Sequence, residues 1–208
     1  MEIASSLHRV EWAVAQRTLP GQTVSGDRHV VLTHRRGVTL AVIDGIGHGP
    51  EAAKAADLAV EALELLPERS PLAHLNCCHL ALANSRGVVM TIAEFNLRDQ
   101  TLTLCGIGNV EATLFRAVAG QGTPPREGAL LRGGVVGGQL PAPYASVIPV
   151  GPGDILVMSS DGVRADFTRD LATRSNLQHL ADHLLEKNFR GHDDALVLLA
   201  RFKEQVDE

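Results

Sequence analysis

Short apolar runs alternate with polar turns along most of the chain, and helical spacing is confined to three stretches. Val10–Thr18 places apolar and polar residues in turn, as a half-buried strand does. Beyond Pro20-Gly21 comes a β-prone run at His29–Thr33, a polar turn at His34–Gly37 holding Arg35 and Arg36, and then Thr39–Asp44. The simplest hairpin of these two runs sets Asp27 opposite Asp44, and a slip of one residue would turn one carboxylate to the other face. Pro50–Leu66 is helical in spacing, with proline preorganising the first turn. Leu58, Ala62 and Leu65 mark its expected buried face; Glu51, Lys54, Asp57, Glu61 and Glu64 mark the wet one. Ser70-Pro71 starts a second helix reaching about Ser85. Gly87–Asn96 with Thr101–Gly106, and Ala145–Val150 with Asp154–Ser160, predict two further hairpins, with Ala112–Ala117 between them. A helix over roughly Ser175–Asn188, burying Leu177, Leu180 and Leu184, precedes a final strand at Ala195–Arg201.

Strands that follow one another through short turns pair antiparallel, which argues against a doubly wound parallel sheet and points to the α+β class. The two successive helices are expected to pack together on one sheet face. With 208 residues and no linker or repeat, a single domain over residues 1–208 is expected. Aromatics make up only 3%, so the core must come from Val, Leu, Ile and Ala. A net charge of −5 leaves no basic footprint, so no nucleic-acid partner is expected. No apolar run reaches the ~20 residues of a membrane span, and no leader pattern opens the chain. Cys77, Cys78 and Cys105 lack CxxC spacing, which suits a reducing cytoplasm and argues against zinc or a disulfide framework.

The chemistry concentrates at strand ends. Asp44 closes the Thr39–Asp44 run, Asp161 follows Ile155–Ser160, and Asp193-Asp194 precede Ala195–Arg201. If the last strand runs antiparallel to the others, these carboxylates gather at one sheet end. Like charges so gathered repel, and a divalent cation relieves the repulsion. All-oxygen ligation suits Mg²⁺ or Mn²⁺. The glycines of Gly45-Ile46-Gly47-His48-Gly49 are spaced G-x-G-x-G, not as a dinucleotide loop requires. His48 either caps the following helix or faces the site; Cys105 reads as core.

In order and context, Ser25-Gly26-Asp27, Asp44-Gly45-Ile46-Gly47-His48-Gly49, Ser160-Asp161-Gly162 and Asp193-Asp194-Ala195 resemble the metal-dependent PPM-type serine/threonine phosphatases, in their bacterial SpoIIE-like branch. Asn84-Ser85-Arg86-Gly87, Gly106-Ile107-Gly108-Asn109-Val110 and the glycines of Gly134–Gly138 extend the likeness to the RsbX-type feedback phosphatases of the stressosome. The resemblance implies an antiparallel β-sandwich flanked by helices, in αββα layers, with a centre of two Mn²⁺ or Mg²⁺ ions. Asp44 would bridge the ions, the Gly45 carbonyl would bind one, Asp161 and Asp193 would hold the other side, and Asp27 would act directly or through water. Phosphorylated STAS-domain stressosome proteins are the implied substrates. His48 stands four residues after Asp44 where the larger family members have a histidine two residues on, so a general-acid role does not carry over. Arg9 and Arg17 are the only N-terminal candidates for a phosphate-binding arginine. Two other classes fit the sequence: a docking module of this fold without catalysis, and a phosphoesterase for small molecules. The Gly120–Pro143 loop, with seven glycines and four prolines, is expected to reach a protein substrate through Arg126 and Arg132.

Overall fold

Gly37–Gly45, the run that ends on Asp44, is buried at all nine positions except Asp44 itself. Both of its faces are covered, which is why its sequence shows no polar alternation. The computed structural model describes residues 9–118, 124–164 and 176–204. Its strands are β1 (Val10–Arg17), β2 (Asp27–His34), β3 (Gly37–Gly45), β4 (Val88–Asn96), β5 (Thr101–Ile107) and β6 (Glu111–Phe115). They continue with β7 (Arg126–Gly128), β8 (Leu131–Arg132), β9 (Ala145–Pro149), β10 (Ile155–Ser159) and β11 (Ala195–Phe202). The helices are α1 (Pro50–Glu64), α2 (Pro71–Ala81) and α3 (Leu177–Asn188).

Two sheets lie face to face. One has the order β1-β11-β10-β6-β7; the other runs β2-β3-β4-β5, with β8 and β9 both pairing to β5. Every pairing is antiparallel except the two-residue β5–β8 contact. Between the sheets, Leu40, Val42, Phe95 and Leu104 meet Leu114, Leu156, Met158, Leu198 and Phe202. Phe95 and Phe202 stack with centroids 6.0 Å apart, supplying aromatic bulk that the composition otherwise lacks. The outward residues of β3 and β4, among them Ala41, Ile43, Met90 and Ile92, are covered by α1 and α2. Ala13, Val157, Val197 and Leu199 on the opposite sheet are covered by α3. The result is the expected α+β sandwich in αββα layers.

Four local expectations need correction. The face of α1 against the sheet is Ala52, Ala55, Ala56, Ala59 and Leu63, while Leu65 is 77% exposed. Small side chains let the helix backbone approach β3, so alanine and not leucine marks this buried stripe. Helix α2 ends at Ala81, short of Ser85, and its N-cap Ser70 Oγ accepts from the Ala73 N–H. The expected Ala145–Val150/Asp154–Ser160 hairpin does not form: β9 pairs with β5 in one sheet, and β10 pairs with β11 and β6 in the other. Gly151–Gly153 is therefore a crossing between layers. The glycine-rich Gly120–Pro143 segment also contributes β7 and β8 to the two sheets.

Candidate active site

The β2–β3 hairpin has the simplest register, and Asp27 pairs with Asp44. Strand β11 runs antiparallel to β10, so Asp161, just past the end of β10, and Asp193-Asp194, just before β11, share one end of the sandwich. The two sheets bring their carboxylates to the same rim. Asp44, Asp161 and Asp193 line a cavity of about 320 Å³ together with Ile46, Gly47, Val89, Gly108, Asn109 and Gly133.

Hydrogen bonds fix this arrangement across the layers. Ser160 Oγ donates to Asp27 Oδ2 at 2.7 Å and accepts from the Leu196 N–H at 2.9 Å. Asp27 is therefore held, 1% exposed, beneath the cavity rather than on its wall. Asn109 Nδ2 donates to Asp161 Oδ2 at 2.8 Å. The adjacent aspartates divide their work. Asp194 is buried, and its two oxygens accept from the backbone N–H groups of Leu19 and Gly26, each at 2.7 Å. Asp194 thus clamps the β1–β2 connection to β11, whereas Asp193 faces the cavity.

The glycines after Asp44 and Asp161 are demanded by space and not by turn geometry. A Cβ on Gly45 would stand 2.1 Å from the Ala52 carbonyl oxygen, and one on Gly162 would stand 1.9 Å from that of Asp194. The α1 backbone and the start of β11 pass directly over these positions. The Gly45 carbonyl faces Gly26, 3.6 Å from where a Cβ at Gly26 would sit.

Burial and mutual repulsion act on the carboxyls. Burial, followed by the charges of Asp27, Asp161, Asp193 and Asp194, pushes Asp44 up to about 8. Burial also raises Asp27 to about 7, opposed by the Ser160 hydrogen bond and reinforced by Asp194, Asp193 and Asp161. Asp193 is raised in the same direction, chiefly by burial. Among the described residues, the Asp44 carboxylate accepts no hydrogen bond from a protein donor. Also among them, no three carboxylate, imidazole or thiolate groups close on a common point. The set is an open cluster of oxygen acceptors on one cavity, in which the Asp44 carboxyl is held neutral near pH 7 unless a cation joins it. That donor chemistry fits hard divalent cations.

Sequence reasoning quoted Asn109 and Ser160 only as parts of motifs. The Gly108-Asn109 turn carried a signal, since asparagine commonly follows a glycine at such corners. Ser160 carried none, because its partner lies 133 positions away. Arg9 and Arg17 do not reach the cavity. Arg9 donates to the Leu97 carbonyl and lies over the Phe202 ring, and Arg17 lies over Phe189. His48 is exposed in the turn before α1. Cys105 is buried core, its thiol pushed up to about 11 by burial.

The model of stage II sporulation protein E (SpoIIE) matches residues 34–203. The chain belongs to the SpoIIE family and is a PPM-type, metal-dependent serine/threonine phosphatase. No curated sequence matches it. A structure from work on the bacterial stressosome, a modular system adapted to control secondary messenger signaling, is similar at TM-score 0.83 and 26% identity, covering 93% of this chain and 100% of the other. RsbX in complex with magnesium is similar at TM-score 0.81 and 19% identity, with 94% and 96% covered. The serine/threonine phosphatase PstP/Ppp of Mycobacterium tuberculosis is similar at TM-score 0.72 and 19% identity, with 94% and 100% covered.

Proposed function

We propose that this phosphatase hydrolyses phosphoserine or phosphothreonine on stressosome STAS-domain proteins, with two Mn²⁺ or Mg²⁺ ions held by Asp44, the Gly45 carbonyl, Asp161 and Asp193, and by Asp27 directly or through water. One observation carries the proposal: Asp27, Asp44, Asp161 and Asp193 come from both sheets to one rim, and burial with like charge lifts Asp44 to about 8. Without a cation the cluster relieves its repulsion only by holding protons, and a bound divalent cation would take their place. The likeness to the stressosome structure and to RsbX supports the substrate class.

Bound divalent cations would supply Lewis-acid stabilisation of the phosphoryl oxygens and a nucleophilic water of lowered pKa. The protein's own residues hold the geometry. Asp44 stands on the cavity wall, Asn109 orients the Asp161 carboxylate, and Ser160 locks Asp27 by a hydrogen bond. In the net reaction water adds to phosphorus, the bond from phosphorus to the side-chain oxygen breaks, and that oxygen leaves with a proton. Neither Ser160 nor Cys105 competes for the nucleophile's role. Ser160 is buried with its hydroxyl engaged on Asp27, and the Cys105 thiol is in the core. The described residues include no helix long and apolar enough to cross a membrane.

The test is phosphate release from phosphorylated STAS-domain proteins with Mn²⁺, with Mg²⁺ and with chelator. Release is expected with either ion and is lost in chelator. Full activity in chelator, or activity restored by zinc alone, would sink the proposal. Release from small phosphoesters but from no phosphoprotein would replace its substrate class.

A further inference from the structure

We infer that Arg86 is the cation that binds the phosphoryl group of the substrate in this site. The inference rests on the phosphatase reading above. A phosphate monoester brings one to two negative charges to a cavity walled by Asp44, Asp161 and Asp193, so a positive group must meet the oxygens that face away from these carboxylates. The N-terminal arginines are spent elsewhere, as described. Arg28 is also taken: its Nε donates to Asp57 at 2.6 Å, and its NH1 donates to the Ser25 and Asp27 carbonyls.

Arg86 is placed differently. Gly47 lines the cavity, and a Cβ built on it would stand 3.1 Å from Arg86 NH1. The guanidinium thus lies directly against Gly47. Arg86 is exposed, and among the described residues it has neither a hydrogen-bond nor an ion-pair partner. Its backbone, by contrast, is tightly anchored. Ser85 Oγ donates to the Leu82 carbonyl and accepts from the Gly87 N–H, and the Gly87 carbonyl accepts from the Ile46 N–H at 3.1 Å. Gly87 has φ +78, and a Cβ there would stand 2.5 Å from Val135 Cγ1. A fixed backbone, an unpaired guanidinium and a side-chain-less neighbour on the cavity wall leave this fork free to meet an anion beside the cavity. A planar fork that takes two phosphoryl oxygens at once suits that place better than an ammonium.

The test compares Arg86→Ala and Arg86→Lys with the wild type in three measurements. The first is calorimetric binding of inorganic phosphate to the Mn²⁺-loaded protein. The second is kcat/KM on a phosphoserine peptide and on a small phosphoester. The third is Mn²⁺ affinity together with melting temperature. Arg86→Ala should weaken phosphate binding about tenfold and lower kcat/KM on both substrates by roughly 10- to 100-fold, with Mn²⁺ affinity and melting temperature unchanged. Arg86→Lys should recover only part of the loss. Wild-type phosphate binding in Arg86→Ala overturns the inference, as does a loss that tracks Mn²⁺ affinity or melting temperature. Because phosphate binding is read without turnover, a wild-type protein that binds phosphate through Arg86 yet hydrolyses neither substrate would refute the phosphatase reading and leave this one standing.

Discussion

At the scale of single residues, neighbouring aspartates of the same chemistry do opposite jobs. Asp194 satisfies two backbone N–H groups that lie in protein, so Asp194→Ala leaves both without partners. We expect a loss of stability of about 2–4 kcal/mol by chemical denaturation. Asp193→Ala removes a cavity-wall carboxylate that repels its neighbours, and it should leave stability near wild type while lowering Mn²⁺ affinity. Equal effects of the two substitutions on stability would refute this division. Asp44 gives a signed pH prediction. Its pKa in the fold is raised from 3.8 to about 8, so the fold favours the neutral form and ionisation favours unfolding. The Asp44 contribution to metal-free stability is therefore fully present below about 4 and is lost as pH rises through 8. Asp44→Asn is neutral throughout, so its metal-free melting temperature should exceed wild type at pH 8 and approach it at pH 4. A variant that melts below wild type at pH 8 would contradict the repulsion.

At the scale of elements, the ends of strands matter more than their middles. Gly45 and Gly162 allow α1 and β11 to cross directly over the strand ends that carry Asp44 and Asp161. Gly162→Ala should cost several kcal/mol, because its Cβ would meet the Asp194 carbonyl, a backbone atom that cannot swing aside. Wild-type melting of that variant would refute the crowding. The Gly120–Pro143 segment divides into two unlike parts. Arg126 lies on β7 opposite Phe115, which pairs with Ile155 at the end of β10 remote from Asp161. Arg132 ends β8 beside Gly133, on the cavity wall. Arg132→Ala should thus weaken action on a phosphoprotein more than on a small phosphoester, and Arg126→Ala should change neither. Equal effects of the two variants would remove β8 from the substrate face. The β2–β3 register, the long strands along the chain and the carboxylates at their ends were legible in sequence, because apolar runs bounded by Asp-Gly fix both strand and end. The alanine face of α1 was not, since leucine outweighs alanine in any hydrophobic pattern. Nor was the crossing at Gly151–Gly153, because a hairpin and a passage between sheets use the same turn residues. Arg86 and Ser160 act through contacts far apart in sequence, which no local pattern reports.

At the scale of the whole molecule, the sandwich is a device for bringing acidic ends of two sheets together. One sheet contributes Asp27 and Asp44, the other Asp161 and Asp193, and Ser160 and Asp194 stitch the sheets where they meet. Nothing in the hydrophobic core requires these carboxyls. The decisive measurement is a calorimetric titration of Mn²⁺ into the wild type and Asp44→Asn at pH 7, each in two buffers of different ionisation enthalpy. The wild type should take up close to two ions per chain and release protons as it does so, because carboxyls held at about 7 and 8 must ionise to bind. Asp44→Asn should lose most of both the binding and the proton release. Binding of equal affinity and stoichiometry in the two proteins would show that this carboxylate cluster is not the metal centre.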